Sequence, residues 1–445
     1  MTSGHPATLT RPRSRLVVAT VGALLVGLLP SCSLVPTDPA SDGLRPASTT
    51  ISTDGTKPEA TSGPTASTAP TDVRPRMVAE LVEQQQQALR HRDRNRYLQT
   101  FDARQQSSRH LARATYLDLR RLRVTAFTAH LLPLPSGPST EAVTGQTWTA
   151  QVRLRWSLAG PTGSRVVRNV VTFSVVRRGD RAKVVGLSPA PGRPEPIWLT
   201  GRLHVARSTC CLVTAPEAWV AASTLRLLRR VSGDLKAYLG PWPGGLTAYV
   251  RDSSSEVAQT VGAPGAAYDG IAAVTAPISD GDGLRTPVAI VLDAEAFDAM
   301  SVGGRRALLT HEATHVATGA TSSALPLWLV EGFADFVALR TVRVPVTEAA
   351  ATLVSYLRRH GPPDSLPRRR DFSVGAMSLE PAYEESWLAV RLLSRLSSAQ
   401  DVLRFYEDCT ARPHRVARLL ERRYGLSMAG FTAAWRGVLE RLANG

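Results

Sequence analysis

Residues 311–315 read His-Glu-Ala-Thr-His, and residues 326–335 read Pro-Leu-Trp-Leu-Val-Glu-Gly-Phe-Ala-Asp. Ala307 to Thr318 has a helical pattern closed by Gly319, and Pro326 is placed to open a second helix. Residues four apart on a helix are offset by only about 40°, so His311 and His315 share a face and can bind one cation. Glu312 lies about 100° round, where it can reach a water on that cation without ligating it. A catalytic zinc needs a third protein ligand and an open position. Glu331 supplies the ligand: it lies just over one turn after Pro326, while His315 lies one turn before Gly319, so antiparallel packing brings the two to one level. Asp335, one turn beyond Glu331, is placed to orient a ligating imidazole through its second nitrogen. Carboxylates among Trp, Leu and Phe are costly to bury without such partners.

The His-Glu-Ala-Thr-His segment followed by Pro-Leu-Trp-Leu-Val-Glu-Gly-Phe-Ala-Asp-Phe resembles the gluzincin metallopeptidases, specifically the peptidase MA-like proteins. The resemblance runs from about Leu203 to Leu442. The interval from His315 to Glu331 is shorter than in the thermolysin and aminopeptidase branches. What the resemblance implies is a zincin-like domain over 203–445, in which a sheet and the active-site helix face a helical lower half across a cleft. It further implies Zn2+ as cofactor, with His311, His315 and Glu331 as ligands and Glu312 as general base. Gly270, Ile271, Ala272 and Ala273 stand where the family keeps the edge strand that pairs with extended substrate. Tyr383 stands where relatives carry a tyrosine that donates to the developing oxyanion, with His360 and His414 as alternative donors.

Upstream of this region the texture differs. Val78, Leu81, Val82 and Leu89 recur with helical period, and Leu111 to Leu122 suggests a second helix. Strands follow: Trp148 to Leu158 alternates apolar with polar residues, and Val171, Phe173 and Val175 repeat the pattern. The order, helices then strands, predicts a small α+β domain over 76–200 that resembles the NTF2-like folds, ended by the proline-rich stretch Pro189 to Pro196. The fold class expected for the whole is therefore α+β, a zincin-like domain preceded by a smaller NTF2-like one.

Arg11, Arg13 and Arg15 precede an apolar run, Leu16 to Leu29, too short to span a bilayer and suited to a signal-peptide core. The run ends in Leu-Pro-Ser-Cys, which resembles a lipobox with Cys32 as the acylated residue. Residues 1–31 are thus expected to be a lipoprotein signal peptide and 32–75 a tether of Ser, Thr, Pro, Gly and Ala, too poor in apolar residues to fold. As a coil the tether reaches roughly 35 Å, and extended up to about 130 Å.

The net charge of +16 first suggests nucleic acid. The basic residues are nearly all arginines scattered through amphipathic segments, with lysine only at Lys57, Lys183 and Lys236, and an export signal is incompatible with a DNA regulator. Of the cysteines left after Cys32, the expected pairing joins Cys210 or Cys211 to Cys409. Together these readings predict a zinc metallopeptidase on the outer face of the cell membrane, held by its lipid, acting on peptide or protein and not on nucleic acid. The alternative is an inactive zincin-fold lipoprotein serving as a binding or scaffold module.

Overall fold

The computed structural model describes residues 73–133, 147–158, 166–242, 244–281, 286–342, 344–373, 376 and 378–444. The expected signal peptide, Cys32 and nearly all of the tether lie outside these residues.

The first part is built from α1 (Arg74–Arg90), α2 (Arg94–Leu98) and α3 (Gln106–Arg121), then β1 (Val124–Leu131), β2 (Thr147–Leu158), β3 (Val166–Arg178) and β4 (Arg181–Pro189). The strands form an antiparallel meander in sequence order. Alternation along β2 sends Ala150, Val152, Leu154 and Trp156 inward, where they meet the apolar faces of the helices. Two of the strands, β1 and β4, were not read from the sequence.

The second part contains β5 (His204–Arg207), β6 (Cys211–Ala215), α4 (Ala218–Leu239), β7 (Leu246–Arg251), α5 (Ser254–Val261), β8 (Ala273–Pro277) and β9 (Val288–Asp293). The remainder is helical: α6 (Ala294–Ala299), α7 (Val302–Thr318), α8 (Leu327–Thr341), α9 (Val346–Ala349), α10 (Ala351–His360), α11 (Leu379–Leu396), α12 (Ala399–Ala411), α13 (Val416–Tyr424) and α14 (Met428–Asn444). Its sheet has the order β5-β6-β7-β9-β8, with β6, β7 and β9 parallel and the outer strands β5 and β8 antiparallel to their neighbours. The architecture is mixed helix and sheet, with two sheets.

The two parts are stitched together along β3 and the segment after β8. Asn169 accepts from Trp156 Nε1 at 2.9 Å and donates to the carbonyls of Pro194 and Ile278 at 3.1 and 3.3 Å. The Arg168 amide donates to Ser279 Oγ at 2.8 Å. Since Asn169 is fully buried, its amide has to be satisfied inside the protein, and the two carbonyls do that.

Helix α8 is buried on every side from Trp328 to Ala338, and apart from Glu331 and Asp335 that stretch is apolar or glycine, so it can exist only inside the fold. Phe333 stacks on Tyr406 at 4.0 Å, and Trp328 packs on Phe431 at 5.8 Å. At Gly332 the backbone of α11 comes so close that an added Cβ would lie 2.2 Å from the Ser386 carbonyl oxygen. Backbone cannot give way as a side-chain end can. Gly332→Ala is therefore expected to destabilise the fold by about 1–3 kcal/mol or more, read as a drop in denaturant midpoint at constant slope.

Candidate metal centre

Helix α7 starts where Ser301 Oγ accepts the Gly304 amide at 3.0 Å, and it ends at Gly319, whose left-handed backbone (φ 67°) lets its N–H bond back to the His315 carbonyl. The last turn, which carries His315, is thereby held. Helix α8 begins at Pro326, whose carbonyl accepts the Leu329 amide at 3.0 Å. The two helices pack together and bring their chemical residues into one buried cluster.

Within that cluster His311 Nε2 and His315 Nε2 are 2.9 Å apart, and each lies 3.2 Å from Glu331 Oε2. The three are the one set of metal-capable side chains found together among the described residues, and all are buried. Bonds of about 2.0–2.1 Å to a tetrahedral zinc set ligand atoms roughly 3.3 Å apart, close to the spacing seen. The imidazole planes stand at 86°, so the two nitrogens approach one point from different directions. Asp335 Oδ1 accepts from His311 Nδ1 at 2.7 Å, which fixes the proton on Nδ1 and turns the Nε2 lone pair toward the shared point. Three carboxylates and two imidazoles are buried here together; were all three carboxylates ionised, a dication would offset their charge. The donor set fits zinc.

Electrostatics divide the carboxylates. Burial alone would raise the Glu331 carboxyl, but His315 and His311 beside it prevail and hold it down at about 2. Burial raises the Glu312 carboxyl above its ordinary range, with the two histidines and the Thr275 hydroxyl only partly opposing it. Thr275 Oγ1 donates to Glu312 Oε2 at 2.6 Å, while Glu312 Oε1 is buried and has no partner. One oxygen thus holds the side chain in place and the other is left to meet a proton. Asp335→Ala should weaken zinc binding by about 10- to 100-fold, measured by competition with a chelating dye, because the imidazole it orients is then free to turn.

The structure brings Tyr383 to the same cluster, its ring 6.3 Å from that of His311 and 5.3 Å from that of Phe372. Neither alternative donor has an observed contact with the cluster: His360 stacks on Tyr356 at 4.4 Å, and His414 contacts Arg415 at 3.2 Å. The edge strand is displaced from its expected position. Gly270 has φ 78° and closes a turn in which the Ile271 N–H bonds to the Tyr268 carbonyl; the Ala272 carbonyl accepts the Asp293 amide at 3.0 Å, and only Ala273 of the four belongs to β8. Strand β8 does lie at the edge of the sheet and carries Thr275, a contact to Glu312 that the sequence reading missed. A single threonine in a short apolar strand has no spacing signature by which to find it.

No family model and no curated protein matches this chain. The solved structures to which it is similar are zinc metallopeptidases of the M1 class. One is the M1 zinc metallopeptidase from Deinococcus radiodurans, at 16% identity and a TM-score of 0.32, covering 71% of this chain and 63% of that one. A point variant of it gives 15% and 0.34, covering 69% and 63%, and a variant of a two-domain M1 zinc metallopeptidase bound to L-arginine gives 15% and 0.32, covering 72% and 63%. The chain spans less than two thirds of the length of each. At such values the likeness decides nothing about activity, which has to be argued from the side chains.

Proposed function

We propose that this chain is a zinc-dependent peptidase of the gluzincin type. One observation carries the reading: His311, His315 and Glu331 converge on a point beside a buried carboxylate, Glu312, with one oxygen unpartnered. A scaffold without chemistry has no use for a fixed, half-satisfied carboxylate there, since such a group costs stability.

Zinc held by the three ligands would acidify water and polarise the scissile carbonyl. Glu312 Oε1 takes the proton from the attacking water and passes it to the departing amine. Thr275 keeps the carboxylate aimed during both transfers. Tyr383 donates to the oxygen on which negative charge develops. An extended substrate would lie along β8, the last strand of its sheet. Metal analysis of the purified chain together with digestion of a broad peptide library tests this. Folded, zinc-loaded protein that cleaves nothing would return the reading to an inactive binding module.

The setting is likewise proposed: residues 1–31 direct export, Cys32 carries the lipid, and residues 32–75 hold an NTF2-like spacer (76–200) and the peptidase (203–445) off the membrane. Cys32→Ala should move the chain from the detergent phase to the aqueous phase, or leave its signal uncleaved. Unchanged partitioning and processing would refute the anchor. Among the described residues no helix is long and apolar enough to cross a membrane.

A further inference from the structure

Cys210 ends the turn that follows β5 and Cys211 opens β6, and their sulfurs are 2.8 Å apart. At that separation the two sulfurs are in direct contact, and either thiol can donate to the other. Cys409 is buried on α12 as a free thiol, and all three cysteines are unbridged. The expected link from Cys210 or Cys211 to Cys409 is therefore not formed. In its place stands a vicinal dithiol with polar neighbours: Ser208 Oγ is 3.4 Å from Cys210 Sγ and accepts the Cys211 amide at 3.1 Å.

The sulfurs are not equivalent. Cys210 is half-buried and Cys211 is fully buried. Burial opposes ionisation of Cys210, but hydrogen bonds from Cys211, Ser208 and Ser232 and the Lys236 ammonium prevail and hold its thiol below the usual range. Burial, and then the bond to Cys210, push Cys211 the other way. The less buried sulfur is the better nucleophile and its neighbour keeps the proton.

We infer that Cys210 and Cys211 form a thiol–disulfide exchange site that reacts with a disulfide-bonded oxidant. Cys210 thiolate attacks one sulfur of the oxidant, forming a mixed disulfide and releasing the first thiolate. Cys211 then loses its proton and attacks Cys210 Sγ, closing the vicinal disulfide and releasing the second thiolate. In all, two protein thiols become one disulfide, the oxidant's disulfide becomes two thiols, and two electrons and two protons pass to it. Neighbouring Cα atoms across a trans peptide are about 3.8 Å apart, below the roughly 4.4–6.8 Å of ordinary disulfides. The closed ring is strained and hence readily reopened, which suits a reversible site better than a structural staple. The site does not depend on the peptidase reading.

The full chain, purified from membranes, is incubated with oxidised glutathione, quenched in acid, alkylated and digested with trypsin. Cleavage after Arg207 and Arg226 puts both cysteines in one peptide, 208–226, while Cys409 falls in 405–415. The expected product is peptide 208–226 two hydrogens lighter, unalkylated and linked to nothing, and dithiothreitol should reverse it. Cys211→Ser should accumulate glutathione on Cys210, and Cys210→Ser should slow reaction at this peptide by at least about tenfold. Three results would overturn the inference: a link between 208–226 and 405–415, full alkylation of both cysteines after oxidant, or Cys210→Ser reacting at the wild-type rate. Zinc content measured on the same samples separates this outcome from any failure of the metal centre.

Discussion

Glu312→Gln is expected to lower peptide hydrolysis by at least about 10²-fold, and up to about 10⁴-fold, with zinc content and melting temperature unchanged. Glutamine matches glutamate in size and can still accept from the Thr275 hydroxyl, which bonds Oε2 at 2.6 Å in the native chain. What it loses is the capacity to take a proton from water at neutral pH. The fall should appear in kcat far more than in KM, because the proton moves only on the way to the transition state. Equal rates for variant and native protein, both loaded with zinc, would remove Glu312 from the chemistry.

A different signature belongs to the ligands. His311→Ala, His315→Ala and Glu331→Ala are each expected to lose stoichiometric zinc and, with it, all measurable peptide cleavage. The native chain should bind one zinc and gain thermal stability from it, by about 4 kcal/mol when free zinc exceeds its dissociation constant a thousandfold. In the three variants this gain should shrink or vanish, whereas Glu312→Gln should keep it. Metal analysis by mass spectrometry and melting curves with and without chelator measure both effects. A Glu331→Ala protein of native fold that retains one tightly bound zinc would mean that the third ligand lies elsewhere.

The centre was legible in the sequence because helices leave periodic traces. Spacing of four between His311 and His315, Gly319 as a stop and Pro326 as a start suffice to level the two helices against each other. Other features left weaker traces. Helix α7 begins at Val302, five residues before the helical pattern was read, because Gly303 and Gly304 lower local helix propensity while the Ser301 cap restores it. Strands β5 and β6 were missed because four- and five-residue strands are too short to display a period. Strand β8 starts late because Gly270 has a positive φ, a matter of backbone shape to which an apolar pattern is blind. Thr275 and the facing sulfurs of Cys210 and Cys211 depend on rotamers and tertiary contacts, about which composition is silent.

Glu331 and Gly332 are neighbours, and on a helix they point about 100° apart. One must face the histidines, and the other must face the backbone of α11 at Ser386. The phase of α8 is thus set twice, by a charge and by the lack of a side chain. Residues added between Gly319 and Pro326 would lengthen a loop and leave that phase alone. A single residue inserted in α8 ahead of Glu331 would rotate everything after it relative to what came before. Either the carboxylate would then leave the cluster, or a side chain would be driven into the Ser386 carbonyl. Length variation in this region is therefore tolerable in the loop and barred from the helix, which makes the spacing from Pro326 to Gly332 a stricter mark of the centre than the spacing from His315 to Glu331.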